Sequence, residues 1–188
     1  MTVKKKLISA SSGPLEDGLA DYERKDYVTA AKLMRLAADQ GIANAQFNLS
    51  LMYKNGRGVT HDYKEAVKWY RLSADQGNAS AQNNLGVAYE QGQGVTQDYK
   101  EALKWYRLSA DQGDPLAQSN LGVSYVTGQG VTQDYVRAHM WFNIAASSGN
   151  TLAESNRDKV AKQMTPTQIE KAQEMARLCM KTNYKNCD

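Results

Sequence analysis

Histidine occurs only at His61 and His139, and cysteine only at Cys179 and Cys187, in a chain of 188 residues. With both cysteines in the last ten residues and the histidines far apart, no Cys/His cluster can assemble, so neither a metal site nor a cofactor is expected. No apolar run approaches the ~18 residues needed to span a bilayer, which excludes a membrane-spanning helix. Charge of one sign is also missing: 23 basic residues stand against 20 acidic ones, for a net charge of +3. That balance argues against a nucleic-acid partner, because the cations recur singly (Lys68 and Lys104, Arg71 and Arg107) as a solvated helix face would. The first ten residues carry Lys4-Lys5-Lys6 but no apolar segment long enough for a signal peptide. Either the protein stays in the cytoplasm or its signal is not part of this chain; the cysteines considered below favour a periplasmic or secreted protein, with a cytoplasmic one as the alternative.

What the chain has is a repeat. Residues 78–113 match residues 42–77 at 25 of 36 positions and residues 114–149 at 19 of 36. A shortened copy precedes them over residues 14–41. A fixed period of this length means stacked units, none of which buries its own core alone. The expected organisation is a disordered lead-in over 1–13 and an array over 14–149. Capping helices with a cysteine-containing tail then follow over 150–188.

Each full copy reads as two helices. The first spans about Ala43 to Asn55, with Ala45, Leu49 and Tyr53 on one apolar stripe. Ser50, Gly86 and Gly122 share one helix-interior position, where glycine is unfavourable unless another helix approaches closely. The connector Gly-x-Gly-Val follows (Gly56, Gly92 and Gly128 first), its first glycine suited to ending a helix. No strand precedes it and no P-loop lysine is present, so phosphate binding is not expected. The second helix opens on a capping box, Asp62 with Glu65 and Asp98 with Glu101. Asp134 has Arg137 in place of the glutamate, so that box should be lost. Ala66, Trp69, Leu72 and Ala74 form the expected buried stripe, and Trp69, Trp105 and Trp141 recur as core aromatics. Remaining carboxylates such as Asp75 and Asp111 read as solvated, and no catalytic residue is expected.

After Gly149 the period stops. Residues 151–164 read as a helix with a polar surface, as an end cap requires. Thr165-Pro166-Thr167-Gln168 starts a last helix, and Ile169, Ala172, Ala176 and Cys179 face the array. The close spacing of Cys179 and Cys187 at a chain end that needs fastening predicts a disulfide, and with it export. Two unrelated free thiols are the competing reading.

The run Ala-Gln-x-Asn-Leu-Gly-x-x-Tyr-x-x-Gly-x-Gly-Val-x-x-Asp-Tyr-x-x-Ala-x-x-Trp at 81–105, with near-copies at 45–69 and 117–141, closely resembles the Sel1-like repeat, a longer-period relative of the tetratricopeptide repeat. The resemblance implies an all-α fold, a right-handed α-solenoid of antiparallel helix-turn-helix repeats with first helices lining the concave side. It also implies a non-enzymatic adaptor that binds another protein or peptide. Carried over from tetratricopeptide repeats, the concave set is Asn44, Phe47, Leu51 and Lys54; Ser80, Asn83, Val87 and Glu90; and Leu116, Ser119, Val123 and Val126. Two readings of its apolar members stay open: an exposed interaction strip, or side chains buried between neighbouring repeats by tight curvature. Asn48, Asn84 and Asn120 recur identically, to hold a ligand backbone or to tie one repeat to the next. Departures from the pattern are Ser50, His139, Met140 and Asn143.

Two other functional classes compete with the adaptor. Some relatives are described as β-lactamases, but the Ser-x-x-Lys of serine β-lactamases does not occur here, leaving a secreted or periplasmic hydrolase without a visible nucleophile and base. A self-assembling envelope component is the third class; a monomer is the expectation.

Overall fold

The computed structural model describes residues 13–185 and 187. Among these the chain is all-α, with ten helices and no strand. They are α1 (Pro14–Glu23), α2 (Tyr27–Asp39), α3 (Ala43–Asn55), α4 (Tyr63–Asp75), α5 (Ala79–Gln91), α6 (Tyr99–Ala110), α7 (Pro115–Thr127), α8 (Tyr135–Ser147), α9 (Thr151–Ala161) and α10 (Pro166–Lys181). They fall into two compact units, Met1–Ser73 and Ala74–Asp188. The lead-in expected over 1–13 lies outside the described residues except for Gly13, which precedes α1.

Within the second unit the 36-residue period becomes helix pairs whose closeness the glycines set. A Cβ on Gly122 would lie 2.5 Å from Cε1 of Phe142, and one on Gly86 would lie 2.6 Å from the Tyr106 ring. α5 and α7 thus each leave a notch for an aromatic ring of the partner helix, which repays the helix-propensity cost of an interior glycine. The connectors are as tightly placed. Gly58 and Gly130, at φ of 72° and 75°, rest against the carbonyl oxygens of Tyr27 and Tyr99, at the start of the preceding second helix.

The helix caps differ from the expected box. Asp98 accepts from the backbone N–H groups of Lys100 and Glu101, but its own N–H donates to the Tyr89 carbonyl at 3.0 Å. Glu101 is released from the box and accepts from Nε1 of Trp105 at 2.9 Å. In the third copy the cap survives without the glutamate, but the buried Nε1 of Trp141 is left with no hydrogen-bond partner among the described residues. Asp134 still caps Arg137 N at 3.0 Å, its N–H still reaches the Tyr125 carbonyl, and the Arg137 guanidinium pairs with it at 2.7 Å. The complete box is the one at Thr165–Gln168, where both reciprocal bonds form.

Trp69, Trp105 and Trp141 are buried as expected, at 4%, 5% and 0% exposure. Leu72 is not: it is 42% exposed, and Val67, Tyr70 and Ser73 complete the buried face of α4 beside Ala66, Trp69 and Ala74. The reason is rotational. Ser73 takes the inward place because its hydroxyl donates to the Ala43 carbonyl at 2.8 Å, which leaves Leu72 turned away. The same bond recurs from Ser109 to Ala79.

The recurring arginine is no solvated face either. Arg107 donates to the Tyr125 hydroxyl at 3.0 Å and its guanidinium lies 5.7 Å from the Trp141 ring centroid. Arg35 repeats the arrangement with Tyr53 and Trp69. One cation on a second helix therefore engages two aromatics of the next repeat, by a hydrogen bond and by its attraction to the ring face.

The C-terminal end departs from the period because α8 is covered on more sides than α6. Both α9 and α10 pack on α8. Met140 and Ile144 are fully buried, where the corresponding Lys104 and Leu108 of α6 are exposed. Cys179 and Cys187 form a disulfide with Cα atoms 4.9 Å apart. It closes a tail that lays Tyr184 against Gly113. Ile169 is half-buried, and Ala172, Ala176 and Cys179 are buried.

His139 is a further consequence of that cover. It is 3% exposed, and burial, reinforced by the charge of Arg157 and opposed by Asp158, holds its pKa below 6.5. Below that value the unfolded chain takes up the proton more readily than the folded one, so folding stability falls as the solution is acidified through 6.5 and is fully present above it. The thermal midpoint of the wild type should therefore drop more between pH 7.5 and pH 5 than that of His139→Leu. Parallel acid titrations of the two melts would refute this.

Candidate functional site

In the second unit a cavity of about 530 Å³ opens beside the first helices, lined by Asn83, Val87, Pro115, Leu116, Ser119, Asn120 and residues 148–152. Its lining carries no charged side chain among the described residues. Two leucines stand out, Leu116 at 58% exposure and Leu152 at 74%. They occupy the same place in the first turns of α7 and α9, one period apart, where the earlier copies have Asn44 and Ser80. Exposed apolar side chains of this size beside a cavity are a feature of binding surfaces.

The other groove positions are less free. Val87, Val123 and Val126 are half-buried and pack on the core, so the apolar band combines the two readings left open by the sequence. Val123 and Val126 line a smaller cavity of about 170 Å³ with Phe142 and Val160. Asn83 is 5% exposed, and its Oδ1 accepts from Nδ2 of Asn120 at 2.9 Å. Glu90 accepts from the Tyr106 hydroxyl at 3.0 Å, and burial first, then this carboxylate, raises the phenol's pKa far above its usual value. Ser119 is half-buried and Ser80 exposed. In the first unit Asn44 is exposed and Lys54 half-buried. The half-buried Phe47 ring lies 6.2 Å from that of Tyr70, and Leu51 lines a cavity of about 140 Å³ with Leu19 and Tyr22.

The recurring asparagines follow neither expectation uniformly. Asn48 and Asn84 donate to carbonyls four residues back in their own helices, and Asn120 alone of the three reaches the preceding repeat. The ties between a first helix and the preceding second helix belong instead to glutamine: Gln46 donates to Ala38 at 3.2 Å and Gln118 to Ala110 at 3.4 Å. Their signal was available, since Gln46, Gln82 and Gln118 recur one period apart. A buried polar residue that never varies between copies is best explained by a buried carbonyl to satisfy.

Among the described residues no group of three or more His, Cys, Asp or Glu could hold a metal ion, and no helix is long and apolar enough to cross a membrane.

The Sel1 repeat model matches residues 13–42, 43–78, 79–114 and 115–150. The chain belongs to the Sel1 repeat family. A Sel1 repeat protein from Oxalobacter formigenes has a crystal structure that superposes with a TM-score of 0.73 at 27% identity, covering 88% of this chain and 86% of that one. A second similar structure is a protective antigen present in uropathogenic Escherichia coli strains, displaying an SLR fold. It superposes with a TM-score of 0.65 at 30% identity, covering 92% of this chain but only 44% of the antigen. No curated protein matches the chain. The Sel1 repeat fold is an α-solenoid that generally serves as a scaffold for protein–protein interaction and is typically non-catalytic.

Proposed function

We propose that this Sel1 repeat protein is a non-enzymatic adaptor that binds a peptide or helix of another protein on the first-helix side of its second unit. The observation that supports this most is the uncharged cavity beside the exposed Leu116 and Leu152. More than half of each leucine stands in water, and burying that remainder against a partner would contribute about 1–2 kcal/mol each. Asn83, Leu116 and Ser119 of the expected concave set line the same cavity, so a partner seated there would touch positions that differ from copy to copy. The cysteine pair fits an oxidising compartment, and we place the adaptor in the periplasm or outside the cell.

The test is affinity capture from envelope and soluble extracts of the organism that makes the protein. The bait is wild type beside a Leu116→Ser, Leu152→Ser double variant shown to melt like it. A protein held by the wild type and lost by the variant is the expected result. Equal retention by both baits would move the site elsewhere, and steady hydrolysis of a chromogenic β-lactam by the pure protein would end the non-enzymatic reading.

A further inference from the structure

In the second copy the acceptor for a buried indole belongs to the chain itself. Trp105 Nε1 donates to Glu101, four residues earlier on α6, at 2.9 Å, and Lys104 reaches the same carboxylate at 3.4 Å. The third copy keeps the indole and removes the acceptor. Arg137 stands where Glu101 does, and Met140 where Lys104 does. Trp141 is fully buried, and its Nε1 has no hydrogen-bond partner among the described residues. A buried donor without an acceptor is costly and calls for a reason. Trp69 Nε1 is unpartnered too, but Glu65 lies four residues before it and can turn onto it as Glu101 does onto Trp105. Trp141 has no carboxylate at that place.

The charge around Trp141 is changed as well. The Arg107 guanidinium lies 5.7 Å from its ring centroid. Arg137 holds Asp134 through Nη1 at 2.7 Å, which engages one arm of its planar fork of donors. A cavity of about 380 Å³ opens beside Arg137, lined by Tyr125, Val131, Thr132, Gln133 and Asp134. Arg107 donates to the Tyr125 hydroxyl on the wall of that cavity. Two guanidinium groups, one carboxylate and one unanswered indole N–H leave this place short of a negative charge.

We propose that this cavity binds a carboxylate, which enters past Arg137 and accepts from Trp141 Nε1 in the place that Glu101 takes on Trp105. The ligand class is a glutamate-like arm, a carboxylate on a short apolar stem with the reach of Glu101, and Arg137 closes on it as a forked donor. An acidic peptide and a free dicarboxylate share this chemistry. The site lies at the other end of α7 from Leu116 and stands or falls independently of that cavity.

The readout is the indole N–H peak of Trp141 in proton–nitrogen NMR titrations of the full chain, beside the peaks of Trp69 and Trp105. The probes are N-acetylglutamate N-methylamide, its neutral glutamine isostere, and glutarate. The glutamate probe is expected to move the Trp141 peak toward the position of Trp105 and to leave Trp105 unmoved. The glutamine isostere should bind about tenfold more weakly, having lost the charge-assisted bonds. Glutarate binding no tighter than the glutamate probe assigns the site to an acidic peptide, and much tighter binding assigns it to a free dicarboxylate. Arg137 has a side chain 40% exposed, so its variants keep the fold. Arg137→Gln should weaken the glutamate probe about tenfold. Arg137→Glu restores the residue of the second copy, so it should shift the Trp141 peak without any ligand and abolish the response to the probes. The proposal is overturned if no probe moves the Trp141 peak or if Arg137→Glu leaves that peak in place. It is equally overturned if sulfate moves the peak as far as the glutamate probe does, the mark of an adventitious ion only.

Discussion

Trp141→Ala is expected to destabilise the second unit by about 3–5 kcal/mol, the range for deleting a fully buried large aromatic. In a chain of this length that lowers the thermal midpoint by roughly 10 °C or more. The loss is large because the indole does two things. It fills the core with Tyr106, Leu121 and Phe142, all at 1% exposure or less, and it gives the Arg107 guanidinium a face to lie on. Truncation leaves a cavity and strips a half-buried cation of part of its environment. Leu152→Ala is the control: at 74% exposure it should melt within about 0.5 kcal/mol of wild type. Equal melts for Trp141→Ala and wild type would show that the core does not depend on this ring.

The second large effect is expected at Gly58. Its φ of 72° costs a residue with a Cβ about 1–2 kcal/mol, and a Cβ there would overlap the Tyr27 carbonyl. Tyr27 opens α2, so its backbone cannot move aside without disturbing that helix; forced repacking adds about 1–3 kcal/mol. Gly58→Ala should therefore lose about 3 kcal/mol in a denaturant titration. Gly41→Ala separates the two causes. Gly41 has a φ of 86° with nothing near the added methyl, so it should carry the conformational cost alone. Should both variants unfold at the same denaturant concentration, the close approach of connector and helix contributes nothing.

These predictions rest on features with different histories. Helix positions, the glycine that ends each first helix, the buried tryptophans and the C-terminal capping box were readable from 36-residue self-similarity and local chemistry. Each depends on a residue's neighbours along its own helix or turn. The cysteine pairing was readable because two cysteines eight residues apart on a short tail have few other options.

The candidate site was legible only in outline. Copy-to-copy variation pointed to the first helices, but it could not tell Leu116, which is exposed, from Val123, which is half-buried against the core. Nor could it show that Asn83 and Glu90 are engaged with Asn120 and Tyr106.

Periodicity by itself settled the fold class and the place of each residue on its own helix. It did not settle what lies over that residue. Leu36, Leu72 and Leu108 are exposed while Ile144, at the same repeat position, is fully buried, on a helix against which both α9 and α10 pack. Arg107 looked solvated because its two aromatic partners lie 18 and 34 positions further along the chain. Contacts of that range are made by stacking and chain return, and they decide burial after the helices have already formed.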